Sequence, residues 1–212
     1  MPTIDRLLEN GAPPVIAILR GVTPAEVVAI GAALVAAGVR LIEVPLNSPD
    51  PFASIAALQA EFGGEALIGG GTVLDLPSVE RLSQTGATLM VAPNADPDVI
   101  ARAIALGLEP LPGFLTPSEA FAAIAAGARR LKLFPASSAG AAHLRALREV
   151  LPAEVGVWAV GGVDVDNLGA WIGAGAEGLA LGGSLYRPGN SAAGVAGKAT
   201  QIVAAWNKAM GK

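Results

Sequence analysis

The chain has 212 residues, 52% of them hydrophobic and 15% charged, with a net charge of −4 and no cysteine. That length suits a single domain over residues 1–212, long enough to bury a sizeable core. The absence of a basic run argues against nucleic-acid binding, and the absence of cysteine excludes both a disulfide frame and a thiolate metal site.

A lone His143 leaves no histidine cluster for zinc, and neither a metal nor a cofactor is expected. The start, Met1-Pro2-Thr3-Ile4-Asp5-Arg6, lacks the basic and apolar regions of a signal peptide. No apolar stretch reaches the ~18 residues of a membrane span, so a cytoplasmic protein is expected, with no membrane partner. Low charge points to one face buried in an oligomer.

In chain order, Ile4-Asp5-Arg6-Leu7-Leu8 reads as a short amphipathic helix suited to plug the bottom of a barrel. Eight short apolar runs follow, at 15–19, 41–45, 66–70, 88–92, 108–111, 131–134, 157–160 and 178–181. They are apolar on both faces, as buried parallel strands are. Between them lie alanine-rich segments of helical period, many opening on a cap-and-proline signal. Examples are Thr23-Pro24-Ala25-Glu26, Ser48-Pro49-Asp50 and Thr116-Pro117-Ser118-Glu119; Asp164-Val165-Asp166 opens another segment. Gly38, Gly86, Gly107, Gly127 and Gly175 stand where a left-handed residue would end each helix. The tail from about Ala192 to Met210 reads as the last helix. Eight strand–helix units predict an α/β fold, a (β/α)8 TIM barrel with a short N-terminal helix. A doubly wound open sheet is the structural alternative.

In such a barrel the chemistry sits where the strands end. Polar residues gather there: Arg20 after the first strand, Glu43 in the second, Asn47 just past it, and Thr72 after the third. Lys132 lies in the sixth, Gly161-Gly162 follow the seventh, and Gly182-Gly183-Ser184 follow the eighth. Lys132 lies within the apolar run Leu131-Lys132-Leu133-Phe134. Desolvation there lowers an ammonium pKa and frees the amine to attack a carbonyl. Glu43, likewise inside an apolar strand, would have its pKa raised toward the working pH of an acid/base. A structural ion pair between the two, or a snorkelling lysine, fits the same residues. The glycine pairs after the last two strands, with the Ser184 hydroxyl, suit a phosphate cradle. Arg20 can grip a carboxylate with its planar fork or join a rim salt bridge. His143 is expected at a surface or interface, and Trp158, Trp171 and Trp206 in packing.

Four segments together resemble the class I aldolases of 2-keto-3-deoxy-6-phospho sugar acids. They are Ile16-Ala17-Ile18-Leu19-Arg20-Gly21, Ile42-Glu43-Val44-Pro45-Leu46-Asn47-Ser48-Pro49, Gly69-Gly70-Gly71-Thr72 and Leu131-Lys132-Leu133-Phe134-Pro135. The resemblance runs from about Pro13 to Tyr186. Arg20 after the first strand, with Asn47 where a Leu-Arg-Thr motif would put arginine, resembles the phosphogalactonate branch. Leu181-Gly182-Gly183-Ser184 is nearer to the phosphogluconate branch. The resemblance implies Lys132 as the Schiff-base lysine and Glu43 as the acid/base. It also implies Arg20 and Thr72 at the pyruvate carboxylate, and Gly162, Gly183 and Ser184 at the phosphate. Its implied partners are a phosphorylated 2-keto-3-deoxy sugar acid, pyruvate and glyceraldehyde 3-phosphate, and its implied assembly is a homotrimer. Alternatives are cleavage of the phosphogluconate epimer or of 4-hydroxy-2-oxoglutarate, a phosphosugar epimerase, and a non-catalytic phosphosugar-binding barrel.

Overall fold

The computed structural model describes residues 2–211. Met1 and Lys212, the two ends of the expected single domain, lie outside the described residues. The strands are β1 (Val15–Ile18), β2 (Leu41–Pro45), β3 (Leu67–Gly71), β4 (Leu89–Val91), β5 (Glu109–Leu111), β6 (Gly113–Phe114), β7 (Arg130–Leu133), β8 (Gly156–Val160) and β9 (Gly178–Leu181). All pairings are parallel, in the order β5-β4-β3-β2-β1-β9-β8-β7-β6. The two ends of that order meet in the chain at Pro112, and this closes the ring.

Nine segments therefore fill the eight expected strand positions, because one position is broken. Proline has no N–H to donate to a ladder. Leu111 pairs back to Val91 of β4, whereas Gly113 pairs forward to Lys132 of β7. The Pro112 carbonyl accepts from Lys132 N at 2.8 Å and so hands the ladder across the break.

Period-two alternation sorts the strand residues into two apolar layers. Ile16, Leu41, Leu67, Leu89, Leu111 and Trp158 fill the barrel interior. Ala17, Ile42, Ile68, Met90, Leu131 and Val157 belong to the outer layer under the helices. Helix α1 (Ile4–Glu9) sends Ile4 and Leu7 into the interior layer, so it plugs the barrel floor as its amphipathic pattern predicts.

Eight of the remaining helices connect the strands: α2 (Val27–Ala36), α3 (Pro51–Phe62), α4 (Leu76–Gln84), α5 (Pro97–Ala105), α6 (Pro117–Ala125), α7 (Ala136–Ala139), α8 (Ala141–Arg148) and α9 (Leu168–Gly173). The last, α10 (Ala192–Ala209), packs against α2 and α9 and completes the outer ring. Thr116 and Glu119 form the capping box that their spacing predicts. Asp75 and Asp96 cap α4 and α5 through side-chain bonds to Ser78 N and to Asp98 N and Val99 N. The five helix-ending glycines all have positive φ, from 76° to 101°. Among the described residues, no helix is long and apolar enough to cross a membrane.

Candidate active site

Glu43 follows Leu41 by two residues and Lys132 precedes Phe134 by two, so alternation turns both ionisable side chains into the barrel interior. Glu43 is only 2% exposed and Lys132 only 6%. Burial pushes the Glu43 carboxyl up to about 7, partly offset by the nearby charges of Lys132 and Arg20. Burial lowers the Lys132 ammonium pKa; Glu43 opposes that shift and Arg20 adds to it. The two groups feel each other's charge, yet no salt bridge joins them. Glu43 Oε2 is buried and has no hydrogen-bond partner among the described residues. Buried polar atoms are normally satisfied, so an orphan oxygen at a strand end marks a group held for something other than stability. The Lys132 Nζ sits 4.6 Å over the centroid of the Phe134 ring, an apolar wall that keeps the amine dry while tolerating its charge.

Room for the Glu43 carboxylate comes from glycine. A Cβ on Gly71 would fall 1.7 Å from Glu43 Oε2, so no larger residue fits at the end of β3. Thr72 follows at once, with a left-handed φ of 57°. That conformation is costly for a β-branched residue and concentrates at functional sites.

Lys132 opens into a cavity of about 400 Å³ at the strand C-termini. Arg20, Gly161, Gly162, Gly182, Gly183 and Ser184 share its lining with Lys132. The structure thus brings together seven of the nine residues singled out from the sequence. Glu43 and Thr72 stand outside this lining, Glu43 against Gly71 and Thr72 next to that glycine in the chain. Arg20 Nη1 donates to Asn47 Oδ1, so the residue after β1 and the one past β2 are in direct contact.

The glycine loops present free donors. Among the described residues, the N–H groups of Gly162, Val163, Gly183 and Ser184 have no acceptor within the chain. Gly161 and Gly162 both have positive φ, and a Cβ on Gly162 would lie 2.6 Å from Ser137 Cβ, so this turn depends on glycine. The Ser184 hydroxyl donates at 2.9 Å to the Val163 carbonyl. It therefore ties the two loops together, and its lone pairs, rather than its proton, face outward in this conformation. Arg187 also lines the cavity, as does Asp164, whose sequence pattern marks only the opening of a helical segment. The available signal for Arg187 was its place four residues past the glycine pair. His143 is no site residue: its Nε2 lies 2.8 Å from the Leu115 carbonyl and ties α8 to the loop before α6. Trp158 fills the interior, whereas Trp171 and Trp206 pack in the outer layer.

Residues 4–195 match the family model described as KDPG and KHG aldolase. The chain is 46% identical to the 2-dehydro-3-deoxy-6-phosphogalactonate aldolase of Escherichia coli (strain K12), over 93% of this chain and 96% of that protein. It is 32% identical to the 2-dehydro-3-deoxy-phosphogluconate aldolase of Treponema pallidum (strain Nichols), over 84% of this chain and 83% of that one. A solved structure titled "Native KDPGal structure" superposes with a TM-score of 0.92 at 45% identity, covering 94% of this chain and 97% of the other. A parallel barrel with a desolvated lysine and carboxylate at its mouth, matched over almost its whole length, belongs to the KDPG and KHG aldolase family.

Proposed function

We propose that this chain is a class I aldolase that reversibly cleaves 2-dehydro-3-deoxy-6-phospho-D-galactonate to pyruvate and D-glyceraldehyde 3-phosphate. The observation that carries this reading is the desolvated Lys132 amine beside the desolvated, unpartnered Glu43 carboxylate. Lys132 Nζ attacks the C2 ketone to give a carbinolamine, which loses water to an iminium. The cationic iminium is the electron sink, so the C3–C4 bond breaks as the C4 hydroxyl loses its proton. Glu43 takes that proton through a water and later returns one to C3 of the enamine. A carboxyl poised near 7 can do both at neutral pH. Hydrolysis then frees pyruvate and regenerates the amine. Arg20 and Thr72 hold the carboxylate end of the substrate, and the loops of Gly161-Gly162 and Gly182-Gly183-Ser184 hold the phosphate.

The galacto configuration rests on the higher identity to the galactonate relative and on Arg20 bonded to Asn47. Cleavage rates on the two C4 epimers test it, and a faster rate on the gluco epimer overturns it. We also assign a homotrimer, in keeping with large apolar side chains left exposed in one chain, such as Leu74 and Phe121. Sedimentation equilibrium checks that assignment.

Treatment with pyruvate and borohydride tests the mechanism. It should inactivate the protein and add a reduced pyruvyl mass at Lys132, and Lys132→Met should abolish both effects. An adduct on another residue, or active protein that forms none, overturns the mechanism.

A further inference from the structure

We propose that Arg187 reads the charge of the substrate's phosphate and so makes the enzyme prefer phosphorylated over unphosphorylated 2-keto-3-deoxy acids. The inference rests on the aldolase reading above and extends it to a residue outside the glycine loops. The cavity has three cationic side chains, Arg20, Lys132 and Arg187, against one carboxylate, Asp164. Arg20 acts on both Glu43 and Lys132 and is bonded to Asn47, so it belongs to the end where the carbonyl reacts. Arg187 stands with the glycine loop that follows β9. Its Nε donates to the Gly183 carbonyl at 2.9 Å. Its Nη2 would lie 3.7 Å from a Cβ on Gly183. Among the described residues no carboxylate pairs with it, and neither Nη atom has an acceptor.

The guanidinium is also held ready. Leu185 N and Tyr186 N both donate to the Gly182 carbonyl, and the buried Tyr186 hydroxyl donates to Glu26 Oε1 at 3.3 Å. Pro188 packs against Gly21, where a Cβ would lie 2.7 Å from Pro188 Cγ. Arg187 N donates to Asn190 Oδ1. The backbone is therefore anchored on both sides of Arg187, and one guanidinium edge is already fixed. The opposite edge offers two nitrogens in the fork geometry that matches two phosphate oxygens. Backbone N–H groups grip an anion whatever its total charge, whereas a free guanidinium favours a dianion over a neutral hydroxyl. A substrate phosphate on the glycine loop after β9 then meets a guanidinium as well as backbone donors.

The test compares kcat/KM for the phosphorylated acid with kcat/KM for the same acid lacking phosphate. In Arg187→Ala this ratio should fall about tenfold or more, mainly through KM, and competitive inhibition by inorganic phosphate should weaken in parallel. Arg187→Lys should recover part of the ratio, since it keeps the charge and loses the fork, and it serves equally if the alanine variant fails to fold. An unchanged ratio overturns the proposal, and so does an equal loss on both substrates, which would mark a purely structural arginine. Failure of the parent reading looks different: the unaltered protein would then show no preference for the phosphorylated acid, or no pyruvate adduct at Lys132.

Discussion

The two ends of the barrel treat charge in opposite ways. At the floor the partly buried cation Arg130 is paired. Arg130 donates to both oxygens of Glu177, at 3.0 and 3.1 Å, and also to Asp5 on the plug helix. Trp158 Nε1 donates to Glu177 Oε2 at 2.6 Å, and Glu109 accepts from Ile4 N. The bonds from Arg130 hold the Asp5 carboxyl below its usual range. At the mouth, two strand positions further along β7, Lys132 has no partner carboxylate in contact among the described residues, and Glu43 keeps an orphan oxygen. The same strand thus carries one cation whose charge is satisfied and one whose charge is suppressed. Paired charges fix the register of the plug, whereas unpaired ones hold reactivity at a cost in stability.

The largest expected effect comes from the mouth. Lys132→Met should lower turnover by roughly 10⁴-fold or more, because the electron sink is lost. The same change removes a desolvated cation, so the denaturation midpoint at neutral pH should rise. The penalty is present below the lowered folded pKa and fades as pH climbs toward the unfolded value of 10.5, so the gain should shrink at high pH. A lower midpoint at neutral pH would contradict this reading of the mouth.

Glu43→Gln should slow turnover about 10²-fold while imine formation persists. Its stability effect has the opposite pH trend. A carboxyl raised from 4.5 to about 7 stays protonated in the folded state while the unfolded chain ionises, so wild-type stability falls across that window. The variant's advantage should be absent near pH 4.5 and fully present above pH 7, as urea titrations at several pH values would show. A pH-independent difference would remove desolvation as the cause.

At the floor the signs reverse. Arg130→Met should cost about 2 kcal/mol, less than for a wholly buried pair because Asp5 and Glu177 are partly exposed. The kcat of the folded protein should stay near wild type. A large loss of kcat without loss of stability would mean that the two ends are coupled. The smallest effect is reserved for an outer-surface pair: Glu80→Ala removes the exposed contact to Arg102 and should change stability by less than about 0.5 kcal/mol.

Much of this arrangement was legible in sequence because it is local. Apolar runs bounded by glycine and proline locate strands, and a charged residue inside such a run announces itself, as Glu43 and Lys132 do. The break at Pro112 escaped notice because Gly113-Phe114 is too short to read as a strand until β7 pairs with it. The pairing of Arg130 with Glu177 spans 47 residues, and no local pattern carries it. Arg187 is illegible for a related reason: nothing in Leu185-Tyr186-Arg187-Pro188 tells a solvated arginine from one pinned to the Gly183 carbonyl. The sequence marks Thr72 as a polar residue at a strand end, but its left-handed backbone and its place beside the Glu43 pocket depend on the fold.

The sequence by itself determined the strand–helix alternation, the plug helix and the two ionisable residues at the strand ends, because periodicity and desolvation act within a few residues. Only closure of the ring decided that those residues share one dry interior. Ring closure likewise set which charges are neutralised at the floor and which donors at the mouth stay free, because these depend on partners brought together by the barrel rather than by the chain.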